Sequence, residues 1–286
     1  IDLCGHSGDG RLQVFARRPA PVQVTWLGYF ASTGLHEMDY LIADPLSVPE
    51  DSTEWFSETV YRLPSTRLCM AAPRPSRDIA VMPPPCLTKG YVTFGSFQQE
   101  AKMTPAVLEA WASIMAQVPN SRLRVQSSSF RSSDAVERVA TRMRTAKIDL
   151  RRVEMLDSLE WEDYLEAHRE VDMLIDTFPY SGGTTTAFAL WMGVPTVTLR
   201  GDNILSRQGA AMLTCVGLAD WIAADVTDYV AKAVQLSQDM PSRAQLRAGL
   251  RQTAEKSPLF DTATFARNFQ DALTDMHRAR VLAGRA

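Results

Sequence analysis

The sequence is poor in cysteine and has no long apolar run. It contains only four cysteines, Cys4, Cys69, Cys86 and Cys215. No two of them form a CxxC pair, which argues against a zinc knuckle or a disulfide framework, so we expect a reducing compartment and no metal site. No apolar run approaches the roughly 20 residues of a membrane-spanning helix. We therefore expect a cytoplasmic protein without a membrane partner.

The sequence also lacks a large excess of either charge. It has 30 Lys and Arg against 33 Asp and Glu, a formal net charge of -3 over 286 residues. This balance argues against a general affinity for nucleic acid. Bound phosphate would therefore need a defined site. The 45% hydrophobic fraction is enough for the cores of one or two domains.

Proline is concentrated in one segment of the chain. Five prolines fall between residues 72 and 90, and proline resists both helices and sheet ladders. We therefore predict a linker over residues 71–90. It would join residues 1–70 to a second lobe at 88–255, with a terminal segment at 256–286. The chain opens with IDLCGHSGDG and no methionine, so we expect further sequence upstream.

Strand and helix patterns alternate after this segment. Buried strands are predicted at 91–97, 122–128, 152–156, 172–178 and 196–200. Helical spacing recurs at 105–118, 134–146, 161–171, 184–192, 206–216 and 262–281. The alternation predicts βαβ units and a parallel sheet covered on both faces. Such sheets bind ligands outside the carboxyl ends of their strands, so residues that follow a strand are the candidates.

One candidate segment is DTFPYSGGTTTAFALWMGVP, residues 176–195, which runs from a strand into a helix. Free N–H groups and the helix dipole attract an anion at such a position. Gly182 and Gly183 allow close approach to the backbone, and Thr184 and Thr185 add hydroxyl donors. The segment predicts a phosphate site. A plain turn with a threonine N-cap is the alternative.

A second strand end supplies Gln98, Gln99 and Lys102 in FGSFQQEAKMTP. Lysine offers a phosphate a mobile positive charge, and glutamine both donates and accepts hydrogen bonds. A solvated loop is the alternative interpretation. Neither segment contains GxxxxGKS or GxGxxG, which argues against a nucleoside triphosphatase and a nicotinamide enzyme.

Four segments together resemble the catalytic region of glycosyltransferase family 41. They are RPAPVQVTWLGYFASTG, FGSFQQEAKMTP, DTFPYSGGTTTAFALWMGVP and SRQGAAMLTCVGLADWIA. That family contains protein O-GlcNAc transferases, SPINDLY-type protein O-fucosyltransferases and bacterial relatives, and the chain looks like a catalytic-region fragment of a bacterial member. The resemblance covers nearly the whole chain. It implies an α/β fold of the GT-B type, with two Rossmann-like lobes, an incomplete first lobe and a terminal helix that packs back on it.

The resemblance also implies a function. A sugar (GlcNAc, fucose or another hexose) would pass from a nucleotide sugar to Ser or Thr of an acceptor protein or peptide, with inversion and without a metal or cofactor. UDP-GlcNAc and GDP-fucose are the expected donors, and TPR repeats are expected upstream in the full-length protein. A noncatalytic nucleotide-sugar-binding module, and a nucleotide-sugar hydrolase or epimerase on the same fold, remain alternatives.

The resemblance assigns roles to matching residues of the second lobe. Lys102 aligns with the lysine that meets the donor diphosphate, and Gln99 with a glutamine that contacts the same phosphates. Thr184 and Thr185 match the paired threonines of the helix N-terminus. Tyr164 takes the place near the base where relatives carry histidine. It either stacks on the base or is a core aromatic.

Fewer roles can be assigned in the first lobe. Gly28 and Tyr29 lie in the WLGY loop, which faces the sugar, although a tight turn with a packed aromatic is an alternative. His6, in a GHT-like segment, is the catalytic candidate that would exchange a proton or orient the acceptor; a satisfied loop histidine is the alternative. The other histidines, His36, His168 and His277, are predicted to be structural.

Several departures from the family pattern leave the donor open. Gly183 stands where the O-GlcNAc enzymes carry histidine, and Phe188 where they carry an acidic residue. Phe30 replaces a proline that is common in the WLGY loop.

Overall fold

The computed structural model describes residues 1–74 and 79–283. Residues 75–78 of the predicted linker and residues 284–286 of the terminal segment lie outside the described residues. The chain divides into two compact units. The first comprises residues 1–71, 203–205 and 257 onward, and the second comprises 72–202 and 206–256.

The first unit contains a three-stranded parallel sheet in the order β1-β2-β3. A short helix, α1 (Leu12–Phe15), precedes β1 (Val24–Thr25), β2 (Tyr40–Ala43) and β3 (Thr59–Arg62). Successive side chains of a strand point to opposite faces. Leu41 and Ala43 accordingly join one apolar cluster and Ile42 joins another, so the central strand is buried on both faces.

The second unit is built on a six-stranded sheet. Its strands are β4 (Thr93–Ser96), β5 (Arg122–Gln126), β6 (Val153–Leu156), β7 (Met173–Ile175), β8 (Thr196–Leu199) and β9 (Ile222–Ala223). The spatial order is β6-β5-β4-β7-β8-β9, and the pairings are parallel. Within the unit this is the order 3-2-1-4-5-6 of a Rossmann sheet. The strand order reverses between β4 and β7, and ligands of such sheets bind at that point.

Helices connect and cover these strands. They are α2 (Cys86–Lys89), α3 (Pro105–Gln117), α4 (Ser133–Thr145), α5 (Trp161–Ala167), α6 (Thr184–Trp191), α7 (Gln208–Cys215), α8 (Val226–Gln238) and α9 (Met240–Glu255). The start of α3 illustrates how the local sequence favours a helix. Thr104 accepts a hydrogen bond from the N–H of Val107, and Pro105 occupies a first-turn position where its missing N–H costs nothing.

The last helix, α10 (Thr262–Ala283), belongs to the first unit. Its apolar stripe packs beside β1, β2 and β3 in a cluster that includes Phe265, Phe269, Leu273 and Met276. The ring centroids of Phe269 and Trp26 are 4.7 Å apart. Among the described residues, every helix is too short or too polar to cross a bilayer.

The parallel sheet and the helix–strand alternation predicted for residues 91–216 are confirmed, with element ends shifted by a few residues. The helix predicted at 161–171 ends earlier, at Ala167, and continues as a 3-10 turn, His168–Glu170. The helix predicted from the terminal apolar stripe is also confirmed.

Candidate functional site

The loops that follow β4 and β7 meet at the point where the strand order reverses. Lys102 lies in the first loop, and its Nζ atom donates to Gln98 Oε1 and to the backbone oxygen of Ser181, each at 3.1 Å. Nζ also lies 3.8 Å from the ring centroid of Tyr180. Two of the predicted site residues, Lys102 and Gln98, are therefore joined to the loop before α6.

The environment of Lys102 acts on its positive charge in two opposing ways. Burial lowers the pKa of Lys102, and the nearby carboxylate of Asp176 partly offsets that effect. An ammonium group has three N–H donors. Within the described part of the chain, two of them are taken by oxygen acceptors, which leaves one for an incoming anion.

Asp176 lies beneath the loop as a buried carboxylate, only 2% exposed. Its oxygens accept hydrogen bonds from the N–H of Gly182 at 2.8 Å, the N–H of Thr177 at 2.9 Å and the hydroxyl of Thr198 at 2.9 Å. Burial raises the pKa of Asp176 to about 6, against these hydrogen bonds and the charge of Lys102, which lower it. The sequence showed only that Asp176 follows a strand.

The turn before α6 has no room for a Cβ atom at Gly182 unless neighbouring side chains shift. A Cβ atom on Gly182 would lie 2.4 Å from Gln98 Nε2 and 2.4 Å from the hydroxyl of Thr186. Real Cβ atoms do not approach other atoms so closely, so a larger residue at Gly182 would displace the amide that holds Lys102. The close approach of a phosphate to the backbone at this glycine stays a prediction.

The N-terminus of α6 offers backbone donors. Gly183 is the N-cap and no side chain caps the helix, so a simple threonine N-cap does not explain the motif. Within residues 1–74 and 79–283, the N–H groups of Thr184 and Thr185 donate to no protein acceptor. Thr184 is exposed, and the hydroxyl of Thr185 accepts a hydrogen bond from Gln98 Nε2 at 2.8 Å. Free N–H groups at a helix N-terminus favour an anion.

Within the described residues, the side chains of Gln99 and Tyr164 make no contact of the kind seen for Lys102 and Gln98 and have other neighbours. Gln99 is exposed, and its side chain donates to the hydroxyl of Ser128 at 3.3 Å, beyond the end of β5, while its backbone oxygen accepts from the N–H of Lys102 at 3.0 Å. Tyr164 is half-buried and packs edge-on against Phe97 and His168, at centroid distances of 5.7 and 5.1 Å. These are the contacts of a packed aromatic, and the place of Tyr164 near the base stays a prediction.

Two aromatic neighbours of Tyr164 did not emerge from the sequence as site residues. The ring of Trp161 stacks on Tyr164 at 6.0 Å and meets Phe188 edge-on at 5.0 Å. The side chain of Trp161 is 38% exposed. Trp161 is the first residue of α5, the helix that follows β6. Only the spacing of aromatics across two helices would have indicated this cluster.

The predicted residues of the first unit, His6, Gly28 and Tyr29, gather in one set of loops. The rings of His6 and Tyr29 meet edge-on at 5.2 Å. A Cβ atom on Gly28 would lie 2.1 Å from the backbone oxygen of Leu3, so the two loops are in close contact. Leu27, which precedes Gly28, has a φ of 75°, a strained value for a residue with a side chain. Strain of this kind is typical of functional loops.

The hydrogen bonding of His6 defines its tautomer. Its Nε2 lies 2.8 Å from the backbone oxygen of Thr33, and a carbonyl can only accept, so Nε2 carries the proton. The neutral ring then keeps an unprotonated Nδ1. Glu58, which the sequence did not indicate, supports this loop: its buried carboxylate accepts from both the N–H and the hydroxyl of Thr33.

His168 is a core residue, in line with the prediction. Its Nδ1 bonds to the backbone oxygens of Tyr164 and Leu165 at 3.0 and 3.2 Å, and its ring stacks on Phe97 at 4.5 Å. Burial lowers the pKa of His168 to about 4. Across the part of the chain that the structure describes, no three His, Cys, Asp or Glu residues are placed to hold a metal ion.

Comparison with known proteins matches the chain to one family. The model of the family described as Glycosyl transferase family 41 matches residues 1–70 and 85–269. The chain is 40% identical over 279 residues to the probable UDP-N-acetylglucosamine–peptide N-acetylglucosaminyltransferase SPINDLY of Solanum lycopersicum, covering 97% of this chain and 30% of that protein. It is 28% identical over 280 residues to the SEC protein of Arabidopsis thaliana, which has the same probable activity in its name, covering 94% and 28%. The chain thus spans about a third or less of these relatives.

A solved structure gives a matching fold. A mutant of the O-GlcNAc transferase of Thermobaculum terrenum superposes with a TM-score of 0.92 at 33% identity, covering 99% of this chain and 53% of that one. A TarM mutant from S. aureus superposes with a TM-score of 0.56 at 10% identity, a likeness of fold alone. The chain has an α/β fold of the GT-B type and belongs to glycosyltransferase family 41.

Proposed function

We propose that this chain carries the donor site of a glycosyltransferase that moves a sugar from a nucleotide sugar to a Ser or Thr hydroxyl of a protein, with inversion and without a metal. The observation that carries the proposal is the cation of Lys102, held between Gln98 and Ser181 beside the free N–H groups of α6. The names of the relatives, peptide N-acetylglucosaminyltransferases and an O-GlcNAc transferase, point the same way.

The leaving group explains why such a site is needed. A nucleoside diphosphate gains negative charge as its bond to the sugar breaks, and fixed donors that face this charge stabilise the transition state. Lys102 would supply a full positive charge, and the N–H groups of Thr184 and Thr185 would supply partial ones. The negative charge of a bound diphosphate would also raise the pKa of Lys102, and would so offset the lowering caused by burial.

The transfer itself needs one proton acceptor. The acceptor oxygen forms a bond to the anomeric carbon on the face opposite the diphosphate, the bond from that carbon to the phosphate oxygen breaks, and the hydroxyl proton leaves. Among the predicted residues, His6 has the suitable chemistry, because its Nδ1 is unprotonated in the neutral ring. The sugar expected is GlcNAc, fucose or another hexose, from UDP-GlcNAc or GDP-fucose as the leading donors. Trp161 and Tyr164 would border the base.

The test is to incubate the chain with UDP-GlcNAc or GDP-fucose, with and without a library of Ser- and Thr-containing peptides. Free nucleoside diphosphate and the masses of the peptides are measured. The proposal predicts peptide-dependent release of diphosphate from one donor, a matching increase in peptide mass, and loss of both in Lys102→Ala. Release of free sugar without peptide would instead identify a hydrolase, an isomerised donor an epimerase, and binding without turnover a noncatalytic module.

A further inference from the structure

Strand β7 has a buried carboxylate just beyond each end. Asp172 precedes the strand, is fully buried and accepts from the N–H of Thr93 at 2.7 Å and the N–H of Cys86 at 3.0 Å. Asp176 follows the strand and lies under the candidate site. The two residues are alike in burial and in backbone bonding, but only Asp176 lies beside a cation that the proposed reaction uses.

Asp176 fixes the orientation of one amide. Gln98 Nε2 donates to Asp176 Oδ1 at 3.3 Å and to the hydroxyl of Thr185 at 2.8 Å, while its Oε1 accepts from Lys102 at 3.1 Å. The reversed amide would place an NH₂ group against the ammonium and an oxygen against the carboxylate. Both contacts would be repulsive. The carboxylate therefore decides that Lys102 faces an oxygen.

The same carboxylate holds the turn before α6. It accepts from the N–H of Gly182 at 2.8 Å, and from the hydroxyl of Thr198 on β8 at 2.9 Å. Ser181, whose backbone oxygen is the second acceptor of Lys102, immediately precedes Gly182. Asp176 is thus connected to both acceptors of the ammonium, one through Gln98 and one through the turn.

Two tyrosines also contact this pair. Lys102 approaches Asp176 from the loop after β4, and Tyr229 approaches from α8, donating its hydroxyl to the backbone oxygen of Asp176 at 2.8 Å. Tyr180 presents its ring to Lys102. Asp176 is the carboxylate whose charge raises the pKa of Lys102 against burial.

We propose that Asp176 is a positioning residue, whose carboxylate keeps Lys102 charged and aims it at the donor diphosphate through Gln98. The inference rests on the proposed function, because that function assigns Lys102 to the diphosphate. Asp176 itself does not touch the reacting atoms.

The test compares Asp176→Asn with the matched control Asp172→Asn. UDP and GDP are titrated calorimetrically into each protein between about pH 6 and pH 10, and the pKa of Lys102 is measured by NMR of the lysine side chain without ligand. We expect nucleotide affinity to fall as the pH rises through the pKa of Lys102. In Asp176→Asn, both the fall in nucleotide affinity and the NMR titration of Lys102 should occur at a pH lower by about one unit or more than in the wild type. Asp172→Asn should titrate like the wild type.

The two readouts separate failure of the inference from failure of the proposed function. If Lys102 has the same pKa in Asp176→Asn as in the wild type, the inference is wrong, whether or not nucleotide binds. If the wild type binds neither UDP nor GDP, the proposed function is wrong, and the NMR titration still decides the electrostatic role of Asp176. Should Asp176→Asn fail to fold, Gln98→Leu tests the relay alone. It should weaken nucleotide binding, and binding equal to the wild type would refute the relay.

Discussion

The Nζ atom of Lys102 lies 3.1 Å from the backbone oxygen of Ser181, although the two residues are 79 positions apart in the sequence. They meet because β4 and β7 are parallel neighbours whose carboxyl ends share one edge of the sheet. The contact brings a cation to the turn that leads into α6.

Replacing Gly182 by alanine should weaken nucleotide binding. The added Cβ would lie 2.4 Å from Gln98 Nε2, and relieving such an overlap costs about 1–3 kcal/mol. We expect a loss of affinity for UDP or GDP of roughly tenfold or more, measured by calorimetry. Gly249→Ala is the control, because nothing lies within 4 Å of its added Cβ in α9. That variant should bind normally and be more stable by up to about 1 kcal/mol. If Gly182→Ala binds nucleotide normally, the turn accommodates the added Cβ and the prediction is wrong.

Replacing His6 by glutamine should lower turnover without affecting nucleotide affinity. General-base catalysis contributes about 10²–10⁴-fold, and glutamine has no basic nitrogen. The kcat for peptide glycosylation should fall in this range, while the Kd for the nucleotide stays the same. His36→Gln, another exposed histidine of the first unit, should match the wild type. If kcat is unchanged in His6→Gln, His6 is a loop histidine without a role in proton transfer.

His168 should contribute to unfolding in acid. Its folded-state pKa of about 4 lies below the ordinary 6.5, so the stabilising contribution of its neutral form is present above pH 6.5 and is lost as the pH falls towards 4. The loss amounts to about 3 kcal/mol. Asp176 acts in the opposite direction, because its raised pKa favours the folded state below about pH 6. The informative quantity is therefore the difference between His168→Gln and the wild type.

Urea unfolding of both proteins at pH 7 and pH 4 gives that difference. We expect the wild type to lose about 3 kcal/mol more of its free energy of unfolding than His168→Gln between these pH values. Equal losses in the two proteins would mean that His168 is protonated in the folded state without cost, contrary to its burial.

The sequence was informative where a local pattern determines the structure. Apolar runs and helical spacing predicted the strands and helices of residues 91–216, and the rule for carboxyl strand ends led to Gln98, Lys102 and the turn at Gly182. The strands of the first unit, β9, α8 and α9 were not predicted; β1 and β9 have only two residues each and so show no periodicity. The family resemblance supplied the individual roles, which no local pattern contains.

The parts of the site that were missed depend on tertiary contacts. Asp176 is important because donors from Gly182 and Thr198 converge on it, and sequence position cannot show where a buried carboxylate finds its partners. Glu58 likewise acts through Thr33, 25 residues away. Gln99 and Tyr164 followed from alignment to relatives. Their roles stay predictions: in the structure the side chain of Gln99 donates to Ser128, and Tyr164 packs among aromatic rings.

The most direct test of the donor site is calorimetric titration of UDP and GDP into the wild type and Lys102→Ala. Lys89→Ala is the control, because Lys89 is a cation paired with Glu170 at 2.7 Å and lies outside the candidate site. We predict that one of the two nucleotides binds the wild type and Lys89→Ala equally, and binds Lys102→Ala about 10–100-fold more weakly. Absence of binding by both nucleotides, or equal affinity in Lys102→Ala and the wild type, would contradict the account.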